Sequence, residues 1–410
     1  MSKEVLVIGG GAAGMMTAIS AAELGAAVTL LEPNSRLGKK LNITGKGRCN
    51  VTNNAGLEEL LANVPRNGKF LYSAFSRFDG RDAMAFFEAL GVPLKTERGN
   101  RVFPVSDSAF DISAALERRL RALGVKVIRD RAVSLEITDG AVRGAAGERA
   151  VYTADAVILA TGGVSYPATG STGDGHRMAE AAGHTITPLQ GSLVPLRDFG
   201  IGRDLQGLSL RNVGLTVFEN SKKIYTDFGE MLFTHFGVSG PLILSASAHM
   251  RHFGTKAYHL EIDLKPALED PVLDKRLLSD FEKYHNHDFC NALDGLLPKK
   301  IIPTIVKASG IPPRQKVHDI TRDQRRGLLQ VLKHFPVVIA GPCPVEDAIV
   351  TSGGVKVGEV NPSTMESKCV KGLYFAGELL DADAYTGGFN LQIAWATGRA
   401  AGQSAAGQTE

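Results

Sequence analysis

Apolar residues gather first at Val5 to Ile8, an unbroken run of the kind needed by a strand buried on both faces. Gly9, Gly10 and Gly11 end it at once. Residues 15–24 are small and helix-permissive, and Val28 to Leu31 is a second apolar run closing on Glu32. The spacing predicts a βαβ unit of about 30 residues, the least that joins two parallel strands. Residues 38–54 read as a long polar loop carrying several glycines. Amphipathic periodicity predicts helices over 81–90 and 108–123, with strands over 125–128 and 132–137. Ala156 to Ala160 is another buried strand, stopped by Thr161-Gly162-Gly163.

From about Gly191 the pattern changes. Residues 208–218 and 258–264 alternate with a period of two, which predicts an antiparallel sheet or small barrel. Residues 265–330 carry helical patterns broken by Pro298, Pro303, Pro312 and Pro313. After Val345 the glycine-rich, strand-like texture returns, with Gly372 to Ala376 leading into Gly377. The expected architecture is α/β, a nucleotide-binding domain interrupted by an insert. The first domain takes residues 1–190 and 345–410. A barrel insert takes 191–264 and 331–344, and a helical insert 265–330.

A chain of 410 residues is long enough for two or three cores. Its 46 glycines cluster, which suggests backbone built to approach a ligand closely. A net charge of +3 demands neither nucleic acid nor a membrane as partner. The four cysteines, Cys49, Cys290, Cys343 and Cys369, form no C-x-x-C pair, so neither a dithiol site nor a metal centre is signalled. No run approaches the roughly 18 to 20 apolar residues of a membrane helix, and no secretory signal is evident. A reduced, cytoplasmic enzyme is expected.

Gly9-x-Gly11-x-x-Gly14 sits between a buried strand and a helix, with an acid about 20 residues on. Gly9 makes the tight turn, Gly11 lets backbone approach a pyrophosphate, and Gly14 lets helix and strand pack closely. The helix start, with Ala12 and Ala13, offers free N–H groups and a positive dipole to phosphates. Glu32 accepts hydrogen bonds from ribose hydroxyls. Residues beyond this unit separate FAD from NAD. Pro33 to Lys40, with Arg36 and Gly38, continues the second strand as flavoproteins do. Ala160-Thr161-Gly162 resembles the A-T-G turn of glutathione-reductase-like flavoproteins, and Gly372 to Glu378 resembles their second FAD fingerprint.

Gly45-Lys46-Gly47-Arg48-Cys49-Asn50-Val51-Thr52-Asn53 resembles the signature loop of a bacterial family of NAD(P)/FAD-dependent oxidoreductases, also named aminoacetone-oxidase-family FAD-binding enzymes. Thr169 to Gly175, Phe233 to Pro241, Thr364 to Lys368 and Thr386 to Gln392 extend the resemblance along the whole chain. It implies a glutathione-reductase-like FAD-binding Rossmann domain interrupted by a β-barrel insert and a small helical insert. The residues it places at FAD include Gly47, Arg48, Cys49, Val133, Gly377, Glu378, Gly388, Phe389, Asn390, Leu391 and Gln392. NAD(P)H is implied as a transient hydride donor, since no second complete G-x-G-x-x-G marks a separate domain for it.

The resemblance leaves the substrate open. Members have been linked to reducing a uracil of ribosomal RNA, to reducing unsaturated bile-acid intermediates, and to oxidising small amines. The first two share hydride transfer to a carbonyl-conjugated double bond, which needs an acid for the second carbon. Cys49, His235 and Tyr166 are the candidates. Cys49 also reads as a small buried hydrophobe, and His235 as a satisfied structural histidine. Asp381 and Asp383 are expected to cap or bind rather than catalyse. The partner is then a small molecule or ribosomal RNA, with Lys299, Lys300, Arg322, Arg325, Arg326 and Lys333 as a basic face for phosphates. Thr321-Arg322-Asp323-Gln324 reads equally as a capped, solvated helix start. Oligomeric state is not evident from these residues.

Overall fold

A computed structural model describes residues 2–407. The chain divides into two compact units, one running to Ser192 and resuming at Pro344, the other spanning Leu193–Cys343.

The first unit is built on a parallel five-stranded sheet. Its strands are β1 (Glu4–Ile8), β2 (Ala27–Leu31), β3 (Lys126–Ile128), β4 (Ala156–Leu159) and β5 (Leu373–Phe375), in the order β5-β4-β1-β2-β3. Val5 pairs with Val28 on one side and Ala156 on the other, so β1 is central and its apolar run is buried on both faces. Helix α1 (Ala12–Glu23) connects β1 to β2 and packs against α2 (Phe389–Ala405), the last helix of the chain. A Cβ on Gly398 would lie 2.6 Å from the Ala13 carbonyl oxygen. The small residues of α2 are therefore what lets the C-terminal segment lie directly on the first helix.

The segment expected as an open polar loop is not one. Leu41–Gly47 forms short 3-10 turns, and Cys49, Val51, Thr52 and Asn53 are buried. Thr52–Asn53 is a strand, in a small sheet with Arg101–Pro104 and Leu94–Glu97. Hydropathy misleads here because the polar side chains find partners inside the fold. Thr52 donates to Gln392 (2.6 Å), and Asn53 donates to the carbonyls of Gly99 and Gly387 (both 3.0 Å).

The second unit holds a closed six-stranded barrel of Leu196–Asp198, Ser209–Glu219, Lys222–Thr234, Gly237–Ser239, Tyr258–Asp263 and Phe335–Pro342. Phe335, Val337 and Ile339 point inward while Pro336 and Val338 do not, the alternation a barrel wall requires. Helices Asp270–Lys283, Ile302–Ser309 and Arg322–Lys333 share its apolar core through residues such as Leu277, Ile305 and Leu328.

Two members of the expected basic face are consumed by this packing. The Arg325 guanidinium forks onto Asp274 (2.7 and 3.2 Å), and its side chain is only 14% exposed. Lys333 reaches Asp263 (2.6 Å) and the Leu268 carbonyl (3.0 Å). Thr321 and Gln324 form the reciprocal cap of the Arg322–Lys333 helix. Arg325→Ala should therefore cost about 1–3 kcal/mol of stability by stranding Asp274, whereas Arg322→Ala should stay within about 0.5. Urea denaturation of the two variants checks the contrast, and equal losses would contradict the assignment.

Candidate functional site

The phosphate-facing end is set by glycines. A Cβ on Gly14 would lie 1.8 Å from the Gly9 carbonyl oxygen, so α1 can press on β1 only with glycine there. A Cβ on Gly11 would meet nothing within 4 Å, which leaves open space beside the helix start. Gly11 is the N-cap of α1, no side chain caps it, and the first turn carries no acid. The N–H groups of that turn thus keep their capacity for an anion. Glu32 accepts the Gly10 N–H (2.7 Å) and both the backbone (2.8 Å) and side-chain (2.7 Å) N–H of Asn34. Asn34 in turn donates to the Thr169 carbonyl (3.0 Å). Sequence reasoning passed over Asn34, although its place two residues after the strand-ending acid is a signal. Pro33, Arg36 and Val133 lie exposed, Val133 at 55%.

Further along, Lys40 and Glu378 form an ion pair (2.7 Å) between side chains about one-fifth exposed. Glu378 also accepts from the Ser165 hydroxyl (3.1 Å) and the Thr351 N–H (2.8 Å). Burial works against its charge, but Lys40 and these donors hold the carboxyl below the ordinary glutamate value. The Thr161 hydroxyl near this pair is buried without a partner. The buried His176 ring lies against the Leu379 backbone and the Glu378 carboxylate. Burial pushes His176 down to about 4, so it is neutral at physiological pH.

The N-terminus of α2 is wired to the signature loop. With its amide oriented to suit its neighbours, Asn50 donates to the carbonyls of Val102 and Thr52 and accepts the Gly388 N–H (3.0 Å). Gln392 accepts from Thr52 and donates to the Phe78 carbonyl (2.7 Å), and Trp395 donates to the Val51 carbonyl (2.8 Å). Asn390 bonds the backbone of Ala384 and Tyr385. The side chains of Gln392 and Asn390 therefore build the turn, and their amides are already committed. Gly388 caps α2 with no side-chain bond, so the backbone N–H groups of Phe389, Asn390 and Leu391 are what this end offers a ligand. Arg48 is committed too. Its guanidinium pairs with Glu97 (2.5 Å) and Asp107 (2.6 Å) and lies over the Phe103 ring.

The three acid candidates separate clearly. Cys49 is fully buried, with left-handed backbone (φ 58°), and burial pushes its thiol up to about 12. Tyr166 is 37% exposed, also left-handed (φ 52°), and its hydroxyl has no partner among the described residues. His235 belongs to the barrel unit, exposed, edge-on to Phe236. Asp381 is gripped by Arg66 (2.7 Å) and Asp383 by the hydroxyls of Ser192 (2.7 Å) and Ser352 (2.9 Å).

Among the described residues, donor atoms of His184, Glu359 and Cys369 lie within 4.8 Å of one another. The Ser367 hydroxyl accepts the N–H groups of Cys369 (3.0 Å) and Val370 (2.8 Å), so it donates to His184 Nε2 (2.7 Å). The ring proton then sits on Nδ1, 3.4 Å from Glu359. A protonated Nδ1 is a donor to the carboxylate rather than a metal ligand.

Comparison with known proteins decides the family. A model described as the HI0933-like protein Rossmann domain matches residues 3–404. The chain belongs to the HI0933-like family. It is 34% identical over 415 residues to the 3-dehydro-bile acid delta(4,6)-reductase of Clostridium scindens, covering 98% of each. It is 30% identical over 401 residues to the ribosomal RNA dihydrouridine synthase of Haemophilus influenzae, covering 96% of each. In fold it resembles the 3-ketosteroid-delta4-(5alpha)-dehydrogenase of Rhodococcus jostii RHA1, with a TM-score of 0.55, 16% identity, and coverage of 99% and 97%.

This HI0933-like protein is a flavin-dependent oxidoreductase with a Rossmann-type FAD domain and an inserted barrel. Its residues fit FAD on their own terms: an open space at Gly11, two helix starts uncapped by side chains, and an unpartnered buried hydroxyl at Thr161. No helix among the described residues is long and apolar enough to cross a membrane.

Proposed function

We propose that the enzyme takes hydride from NAD(P)H and reduces a carbon–carbon double bond conjugated to a carbonyl. The observation that carries this is the near full-length 34% identity to a protein named as a bile-acid delta(4,6)-reductase, joined by 30% identity to one named as a dihydrouridine synthase. Both names describe saturation of such a bond. The substrate is then an enone, either small or a uracil within RNA. The four cysteines form no disulfide among the described residues, which suits a reducing, cytoplasmic setting in which NAD(P)H is at hand.

FAD, when bound, supplies the hydride. The chain's part begins with anchoring. The α1 N-terminus and Glu32 would hold the dinucleotide half, and the uncapped α2 N-terminus would offer a positive dipole to the negative charge of a reduced flavin. Lys40, Glu378 and Ser165 form a mutually bonded polar group between them in sequence.

For the proton we favour Tyr166. Its hydroxyl is unengaged among the described residues, and it follows Ser165 directly. Its left-handed backbone is a cost for an aromatic residue, of the kind retained where a side chain must be aimed. Cys49, buried and pushed up to about 12, is the poorer donor. Tyr166→Phe should lower double-bond reduction by roughly 10²–10⁴ while leaving reduction of the bound flavin by NAD(P)H intact.

The function is tested by reducing the FAD-loaded protein anaerobically with NADH or NADPH, then adding an enone, a uracil-containing RNA, or oxygen. Rapid reoxidation by either conjugated acceptor is expected. Reoxidation by oxygen alone would make the enzyme an oxidase, such as one acting on a small amine, and would overturn the reading.

A further inference from the structure

The barrel unit carries an aromatic ledge. Two segments build it, residues 197–205 and residues 234–237. Arg197 pairs with Gly237 in the barrel ladder, and the Asp198 N–H donates to the Phe236 carbonyl (3.2 Å). The Asp198 carboxylate then accepts the N–H groups of Gly200 (2.7 Å) and Gly202 (2.6 Å), which fixes the turn. A Cβ on Gly202 would lie 2.6 Å from Gly237 Cα, so the two segments touch backbone to backbone. The ledge is rigid. Phe199 stands 77% exposed on the first segment, and His235 is exposed on the second with its ring 5.0 Å from that of Phe236.

Cations lie on and beside the first segment. Arg203 is exposed on the same turn, and Lys300 donates to the Gln206 carbonyl at its end, bringing Lys299 with it. Residues 193–343 hold 20 Lys and Arg against 16 Asp and Glu, while the remainder of the chain holds 26 against 27. The positive charge of the protein therefore resides in this unit. A lone exposed phenylalanine is ordinary. Two exposed rings on segments joined backbone to backbone, with an exposed arginine on one of those segments and lysines tied to its end, are chemistry for stacked bases and their phosphates.

We propose that this ledge is a platform for single-stranded RNA, with Phe199 and His235 stacking bases while Arg203, Lys299 and Lys300 meet the flanking phosphates. It rests on the reading that the conjugated acceptor is a uracil in RNA, and it moves the RNA contact away from the Arg322–Lys333 helix, where Arg325 is already engaged.

The test uses the FAD-loaded protein and a labelled, uracil-containing single-stranded oligoribonucleotide, with affinity measured at several salt concentrations. Phe199→Ala should weaken binding by roughly tenfold at every salt, and Phe199→Trp should restore it. Arg203→Gln with Lys299→Gln should flatten the logarithmic salt slope by about 1.4, or about 0.7 for each phosphate left unneutralised. Wild-type affinity and slope in these variants would overturn the platform, as would a Phe199→Ala effect confined to the KM for a small enone. RNA bound through the ledge yet unable to reoxidise the flavin would instead defeat the uracil reading and leave the platform standing. RNA that is reduced while Phe199→Ala binds it normally would do the reverse.

Discussion

Gly11→Val should yield a folded protein that no longer binds FAD, with affinity down by at least about a thousandfold, roughly 4 kcal/mol. The two halves of that outcome come from different facts. Gly11 has ordinary extended backbone (φ −81°, ψ −168°), and a Cβ placed there meets no protein atom within 4 Å. Valine is thus tolerated by the apo-protein, and what it fills is the approach to the uncapped N-terminus of α1, where a pyrophosphate must come within hydrogen-bond distance. Gly14 offers the control. Even alanine there drives a methyl to 1.8 Å from the Gly9 carbonyl oxygen, so Gly14→Ala should lose stability before any question of ligand arises. Glu32→Ala should fall between, costing about 1.5–3 kcal/mol as charge-assisted bonds are lost. Thermal melts of the apo-proteins, followed by FAD titration, separate the three. Tight FAD binding by a well-folded Gly11→Val protein would mean that the cofactor does not lie on this turn.

The difference between Gly11 and Gly14 also marks how far the sequence can be read. G-x-G-x-x-G assigns roles to its glycines from spacing alone, and in the structure Gly14 is where helix meets strand while Gly11 borders open space. β1, β2, β4 and β5 were legible because a strand buried on both faces leaves an unbroken apolar run. The barrel was legible as alternation, since its wall has an inside and an outside. Residues 49–53 were not. Their polar side chains are buried against partners more than 300 residues away in the chain, at Gly387 and Gln392, and no local pattern encodes such a match. For the same reason the sequence did not show that the amides of Gln392 and Asn390 hold the turn. Charge was the least legible quantity. Arg48 read as an FAD contact and Arg325 and Lys333 as a face for phosphates, and each has an acidic partner brought by the fold.

Lys40 and Glu378 are the case in which such a pairing has the largest consequence, and Lys40→Met should destabilise the protein in a pH-dependent way. In the wild type, Glu378 is held below its ordinary value of 4.5, so its contribution to stability is present above that pH and fades as pH falls through the lowered value. Removing Lys40 leaves burial as the dominant influence, and burial raises a carboxyl. The sign then reverses: the charged Glu378 opposes folding at neutral pH, and protonating it on the way down relieves the cost. Breaking a fully buried pair costs about 3–5 kcal/mol, and with one-fifth of each side chain in solvent we expect about 2 at pH 8. The deficit should shrink towards pH 5, whereas the wild type should change little over that range. Lys40→Met with Glu378→Gln should recover most of the loss, because the neutral amide still accepts from Thr351 and Ser165. Denaturation midpoints at pH 5 and pH 8 for the three proteins measure this. A deficit that is the same at both pH values, and unrelieved by the second change, would show that Lys40 acts through the packing of its stem.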